Sequence, residues 1–157
     1  MTVVLFRVDE RLIHGQVVVG WGRRLAVERL VVVSDELTSS PVEQEIYRAG
    51  LPGPMKAEFW SEEQALARLP EAMKSEERLL ILTPDLATMW RLAAGGVPIY
   101  EVNVGGLHAA AGRDSVLPYV YLDAGDRQRV RDFEAAGVRV TAQDVPGAPR
   151  IRLDRAL

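Results

Sequence analysis

Short apolar runs alternate with longer amphipathic segments along this chain. Val3 to Val8 reads as a buried strand, and Gln16 to Leu25 as a helix able to turn Val17, Val18, Trp21 and Leu25 to one face. Arg29 to Ser34 is a second buried strand, followed by a polar loop from Asp35 to Ser40. Ser40-Pro41 suits a helix start, with a cap residue and then proline at the first position. That helix runs to about Ala49 and stops in the Gly50 to Pro54 run. Lys56 to Trp60 is a short third strand, and Ser61 with Gln64 resembles a capping box opening a helix to about Met73. Leu79 to Leu82 is a fourth strand, and Thr83-Pro84 starts a helix that ends at Gly95-Gly96. Ile99 to Val104 is a fifth strand ending in Gly105-Gly106, and Tyr119 to Leu122 a sixth. A helix from Asp126 to Ala136 ends at Gly137, which suits the position after a helix C-terminus. Val138 to Ala142 is the last strand before a Pro/Gly-rich tail.

Apolar strands alternating with helices predict βαβ units. The expected fold is therefore α/β: a single-domain, open, mostly parallel twisted sheet of about seven strands with helices on both faces. No linker, repeat or low-complexity segment interrupts the pattern, so one domain over residues 1–157 is expected.

Composition narrows the function. An apolar fraction of 48% and a charged fraction of 26% are ordinary for a soluble globular protein. A net charge of -3, with basic residues spread along the chain, gives no footprint for nucleic acid. The absence of cysteine excludes disulfides, thiol catalysis and thiolate metal sites, and fits a cytosolic protein. The chain starts with a strand, so no signal peptide is expected, and no apolar run approaches the roughly 20 residues that span a bilayer. Two distant histidines argue against a zinc site. The P-loop, the dinucleotide glycine motif and the Gly-x-Ser-x-Gly elbow are all missing. No metal and no cofactor are expected.

The chemistry concentrates in the run from Arg7 to Gln16. His14 follows the first strand and precedes Gly15, at the sheet edge where open α/β folds bind ligands. A ring nitrogen, arginines for phosphate oxygens and a carboxylate to orient the ring suit phosphoryl transfer through histidine. The competing reading of His14 is a buried histidine with satisfied hydrogen bonds. Arg7 and Asp9 alternate with Val8 and so share a side if the strand continues, and Arg11 lies three residues before His14. For these three the alternative is a solvated surface ion pair, and spacing alone does not decide. Gly105-Gly106 could bring backbone N–H groups against an anion, or form a simple tight turn. Ser34 could donate to phosphate or cap a helix; Asp35 reads better as loop chemistry. His108, close after the glycine pair, reads better as incidental than as a second catalytic histidine.

The run from Arg7 to Val17 resembles the signature of the IIB components of the mannose/fructose/sorbose class of bacterial sugar phosphotransferase systems. Trp21, Val33 to Glu36, Thr83-Pro84, Gly95 to Val97, Asn103 to Gly106 and Val145-Pro146 continue the likeness along essentially the whole chain. The resemblance implies a cytoplasmic phosphohistidine carrier, membrane-associated through IIC and IID subunits but not inserted. His14 would accept a phosphoryl group from a IIA protein or domain, on Nδ1, and pass it to a sugar during uptake. Asp9 and Arg11 match positions that orient the ring and bind the phosphoryl group; Arg7 belongs to the same motif. Two segments depart from the family pattern. They are His108 to Pro118, and Glu43 to Glu45, where many members carry basic residues. Two rival readings stay open: a phosphorylation-dependent regulator in a system without transport, and an anion-binding module in which His14 only contacts ligand. A homo-oligomer also stays open, because periodicity cannot separate core from interface on the first helix.

Overall fold

The computed structural model describes residues 3–157; residues 1 and 2, counted in the expected domain, lie outside the described residues. Strands β1 (Val3–Val8), β2 (Arg29–Val33), β3 (Lys56–Trp60), β4 (Leu79–Thr83), β5 (Glu101–Val104), β8 (Arg139–Ala142) and β9 (Ile151–Arg152) form one sheet. Their order is β3-β2-β4-β1-β5-β8-β9, parallel except for the β8–β9 pair. Strands β6 (Asp114–Leu117) and β7 (Val120–Leu122) form a separate antiparallel hairpin.

Period-two alternation explains the layers. Val31 and Val33 of β2, with Leu79 and Ile81 of β4, enter one core with Leu69, Met89, Leu92, Val130 and Phe133. These last come from α3 (Glu62–Ala72), α4 (Leu86–Ala94) and α5 (Ala124–Ala135). Leu30, Val32, Leu80 and Leu82 point the other way, against Val17, Val18 and Trp21. That face is covered by the segment Gln16–Gly22, by α1 (Asp35–Thr38) through Leu37, and by α2 (Pro41–Ala49) through Tyr47. Helices thus lie on both faces, as expected.

The strand count agrees with the expectation, but its members do not. Residues 120–122, read as a sheet strand, pair with 114–117 instead, and the seventh strand is β9 in the tail. The loop expected over residues 35–40 contains α1, because Ser34 Oγ accepts from Leu37 N at 3.2 Å and caps a short turn. The helix after β4 starts at Leu86, since Asp85 rather than Thr83 supplies the cap. Gln16–Gly22 winds as a π-helix, a form often found beside functional sites.

β1 lies between β4 and β5, where the strand order switches direction. The C-terminal ends of strands at such a switch point form the usual ligand crevice of an open sheet.

Candidate functional site

A polar row crosses the sheet beside β1. Arg7 stands in register with Asn103 on β5, and Asn103 with Thr141 on β8. All three are buried, on the face where other strands carry leucine and valine. Arg7 is wholly buried, and its guanidinium lies 5.1 Å from the Trp21 ring centroid. Nη1 donates to Asn103 Oδ1 and, at 2.9 Å, to the Gln143 carbonyl. Nη2 donates to Asp9 Oδ2 at 3.1 Å and to the Asp144 carbonyl at 3.0 Å. A buried charge is tolerable only when paired and hydrogen-bonded, and here three chain segments supply the partners.

Asp9, also wholly buried, is the hub. Oδ1 accepts from the Arg11 amide and from Arg11 Nε, both at 3.0 Å. Oδ2 accepts from Arg7 and, at 2.9 Å, from Arg11 Nη2. The same oxygen lies 3.3 Å from His14 Nε2. Burial disfavours the Asp9 charge, but the hydrogen bonds from His14 and Arg11 and the Arg7 cation outweigh it. The carboxyl is held well below its ordinary range. Arg7 shifts down through burial, against the pull of Asp9. Arg11 shifts up, chiefly through its bond to Asp9.

The sequence reading placed Arg7 and Asp9 on one side, and they meet there. The alternative of a solvated surface pair does not hold for them, because neither side chain is exposed. Arg11 is 29% and His14 18% exposed, so both reach the surface above a buried base. Arg11 Nη1 donates to Gln16 Oε1 at 2.8 Å, and Nη2 lies 3.6 Å from Asp144 Oδ1. The turn between Asp9 and His14 is tight. Leu12 N donates to the Asp9 carbonyl at 3.0 Å, and Leu12 is buried at φ 56°, a left-handed conformation costly for leucine.

The two glycines serve the arginines. A Cβ at Gly105 would stand 2.1 Å from Arg7 Nη2, and one at Gly106 2.9 Å from Arg11 Nε. Only glycine leaves room for both guanidinium groups. The Gly105 N–H donates to the Val8 carbonyl at 2.8 Å, and the Gly106 carbonyl accepts from Glu10 N at 2.9 Å. The Gly105 donor is therefore in use within the fold and is not presented to an anion.

Ser34 lies apart from this network. It ends β2, two strands from β1, roughly 10 Å across the sheet. Its hydroxyl accepts from Leu37 N and its carbonyl from Thr38, the capping role rather than a phosphate contact. Asp35 Oδ1 accepts from Glu62 N at 2.8 Å, also a structural role. His108 is half exposed, with Nδ1 3.3 Å from Glu10 Oε2, and its carbonyl accepts from Arg113, which also bonds Glu10. The segment His108 to Pro118, expected to depart from the family pattern, is thus tied through His108 and Arg113 to Glu10, the residue next to Asp9.

Sequence reasoning missed Gln143 and Asp144, and gave Gln16 and Asn103 no role of their own. Gln143 and Asp144 follow the last parallel strand directly, so their sheet-edge position was a usable signal. Among the described residues no three His, Asp or Glu side chains converge as metal ligands. No helix among them is long and apolar enough to cross a membrane.

Residues 3–157 match the family model described as PTS system sorbose subfamily IIB component. The chain is 35% identical to N-acetylgalactosamine-specific phosphotransferase enzyme IIB component 2 of Escherichia coli, covering 99% of this chain and 98% of that protein. It is 29% identical to the mannose-specific EIIAB component of Escherichia coli, covering 98% of this chain and 47% of that longer protein. The crystal structure of the IIBSor domain of the sorbose permease from Klebsiella pneumoniae superposes with a TM-score of 0.92. Identity there is 27%, over 99% of this chain and 96% of that one.

Proposed function

This chain belongs to the sorbose subfamily of phosphotransferase-system IIB components, and from that premise we propose that His14 is its phosphoryl carrier. Components of this family take part in phosphoryl transfer during sugar uptake. In the finer reading His14 accepts the group from a IIA phosphohistidine and passes it to a sugar entering through IIC and IID membrane subunits. The fused EIIAB name of the mannose relative supports a IIA donor.

The observation that carries the reading is the contact between Asp9 Oδ2 and His14 Nε2. A buried, ionised carboxylate selects the tautomer with its proton on Nε2. The lone pair then sits on Nδ1, which is the nucleophile. In the transfer, Nδ1 forms the new P–N bond while the bond to the donor nitrogen breaks, and the donor ring keeps that electron pair. The Nε2 proton stays in its bond to Asp9, so the imidazolium that forms is balanced by the carboxylate. Discharge reverses this: a sugar oxygen forms the P–O bond, the P–N bond breaks with its pair returning to Nδ1, and the hydroxyl proton passes to solvent water. Little covalent work falls to the protein in such a transfer; alignment and charge stabilisation dominate. Arg11, at the surface and tied to the same carboxylate, is the group placed to meet equatorial oxygens.

The test is labelling from phosphoenolpyruvate through enzyme I, HPr and a IIA protein. Wild type takes up acid-labile, alkali-stable label, and membranes with the right sugar discharge it. His14→Ala folds and stays unlabelled. Label retained on that variant overturns the reading, and label that no sugar discharges moves the chain to the regulatory alternative.

A further inference from the structure

The site around His14 is formally close to neutral before any phosphoryl group arrives. Arg7 and Arg11 supply two cations, and Asp9 and Asp144 two carboxylates. A site built only to hold phosphate would keep a surplus of positive charge. Asp144 removes that surplus, and its side chain has no structural duty that would explain its place. The structural bonds of Asp144 run through its backbone carbonyl, which accepts from Arg7 Nη2 at 3.0 Å and from Trp21 Nε1 at 3.3 Å. The carboxylate is 33% exposed and faces Arg11 Nη2 at 3.6 Å. Arg11 uses Nε and Nη2 on Asp9 and Nη1 on Gln16, so the direction left on Nη2 is the one Asp144 occupies. Tyr119 also feels this carboxylate: burial, then the charge of Asp144, pushes its hydroxyl pKa up.

We propose that Asp144 is a positioning residue that competes with the phosphoryl group for Arg11 and so keeps phosphohistidine poised for discharge. The inference rests on His14 being the phosphorylated residue. In the free protein the carboxylate forms an ion pair with Arg11 Nη2 at 3.6 Å. A phosphoryl group on Nδ1 brings between one and two negative charges into the same neighbourhood. The two anions then share one guanidinium, and their repulsion raises the energy of the phosphorylated state. A carrier must release its cargo as readily as it accepts it, and a built-in competitor lowers the depth of the intermediate.

The experiment uses potassium phosphoramidate as donor, which needs no partner protein. Its P–N bond breaks as P–Nδ1 forms, and ammonia leaves with the electron pair. At a fixed ratio of phosphoramidate to ammonium, the labelled fraction of His14 reports the stability of phosphohistidine. Asp144→Asn keeps the backbone carbonyl and side-chain shape but removes the charge. The ratio of labelled to unlabelled protein should rise about three- to tenfold, and back-transfer to ammonium should slow to match. The difference from wild type should shrink as salt rises from 0.05 to 0.5 M, because the charge is partly exposed. Asp144→Glu, which keeps the charge, should behave as wild type. Equal labelling of wild type and Asp144→Asn overturns the proposal, as does a difference that ignores salt or that Asp144→Glu shares. A wild type whose label is absent from His14 overturns the reading on which it rests, a separate and distinguishable failure.

Discussion

The two ends of the sheet are built on opposite plans. At the N-terminal ends of β2, β3 and β4 lies a cavity of about 710 Å³, lined by Gly22, Val27, Met55 and the prolines Pro52 and Pro54, with Arg23, Lys56 and Glu77 around it. Neither histidine lines it. At the C-terminal end of β1 a packed base of buried charge lies beneath the exposed edges of His14, Arg11 and Asp144. A small-molecule enzyme usually places its reactive groups in its best concavity. A carrier that exchanges a phosphoryl group with another protein has the reverse need, since two histidines must approach within one phosphorus of each other. On the proposed reading, the contrast teaches that the work of the site is electrostatic definition of one surface ring, not enclosure of a ligand.

The strongest way to break that contrast is to remove the base. Arg7→Met fills similar space but leaves Asp9 buried without its deepest partner. Losing one member of a buried pair costs about 3–5 kcal/mol. Urea unfolding should show a loss of that size, large against the total stability of a domain this small. A loss under about 1 kcal/mol would mean that Asp9 is held by Arg11 and His14 alone, and that the polar row is decoration on the sheet.

The same contrast explains what could be read in the chain. Strands β1, β2 and β4 were visible because four apolar residues stand together in each, at 3–6, 30–33 and 79–82, and the His14 loop because unusual residues crowd ten positions. β9 was not visible: two residues are too few for any period, and Ile151–Arg152 becomes a strand only because β8 offers it an edge. The hairpin of β6 and β7 was missed because Asp114–Leu117 has little alternation and is half exposed. The burial of Arg7 was also hidden. Alone it resembles the solvated end of a strand; it becomes a core residue only when Asn103, Gln143 and Asp144 arrive from far along the chain. Sequence spacing singled out His14 but could not count the partners beneath its loop.

A smaller and differently directed effect is expected at the surface layer. Arg11→Ala removes a fork that grips both oxygens of Asp9 and also faces the solvent side of the site. Transfer to His14 from a phosphorylated donor should slow by about 2 kcal/mol, roughly thirtyfold. Arg11→Lys should recover only part of this, because an ammonium cannot reproduce the two-pronged geometry. Rapid-quench labelling measures both. Full recovery by lysine would reduce the role of Arg11 to its charge, and an unchanged rate in Arg11→Ala would transfer the role to another group.

The smallest effect belongs to the other end of the sheet, and it tests whether the two ends are separable. Among the described residues, two that are not glycine adopt left-handed backbone, one at each end: Leu12 at φ 56° and Ala26 at φ 51°. Ala26 follows the last turn after Gly22, where Val27 N reaches back to the Gly22 carbonyl at 2.8 Å, an arrangement that normally recruits glycine. The left-handed region costs an L-residue roughly 1–2 kcal/mol, and glycine gives back about 0.5–1 kcal/mol through its freer unfolded chain. Ala26→Gly should therefore stabilise the protein by about 0.5 kcal/mol in urea and leave His14 labelling unchanged. At Leu12 the same exchange would instead give up a buried side chain worth about 2 kcal/mol, so there the strain is held by packing. If Ala26→Gly altered the labelling of His14, the cavity end and the phosphoryl end would be coupled through the π-helical segment that joins them. The shallow site would then not be an independent unit.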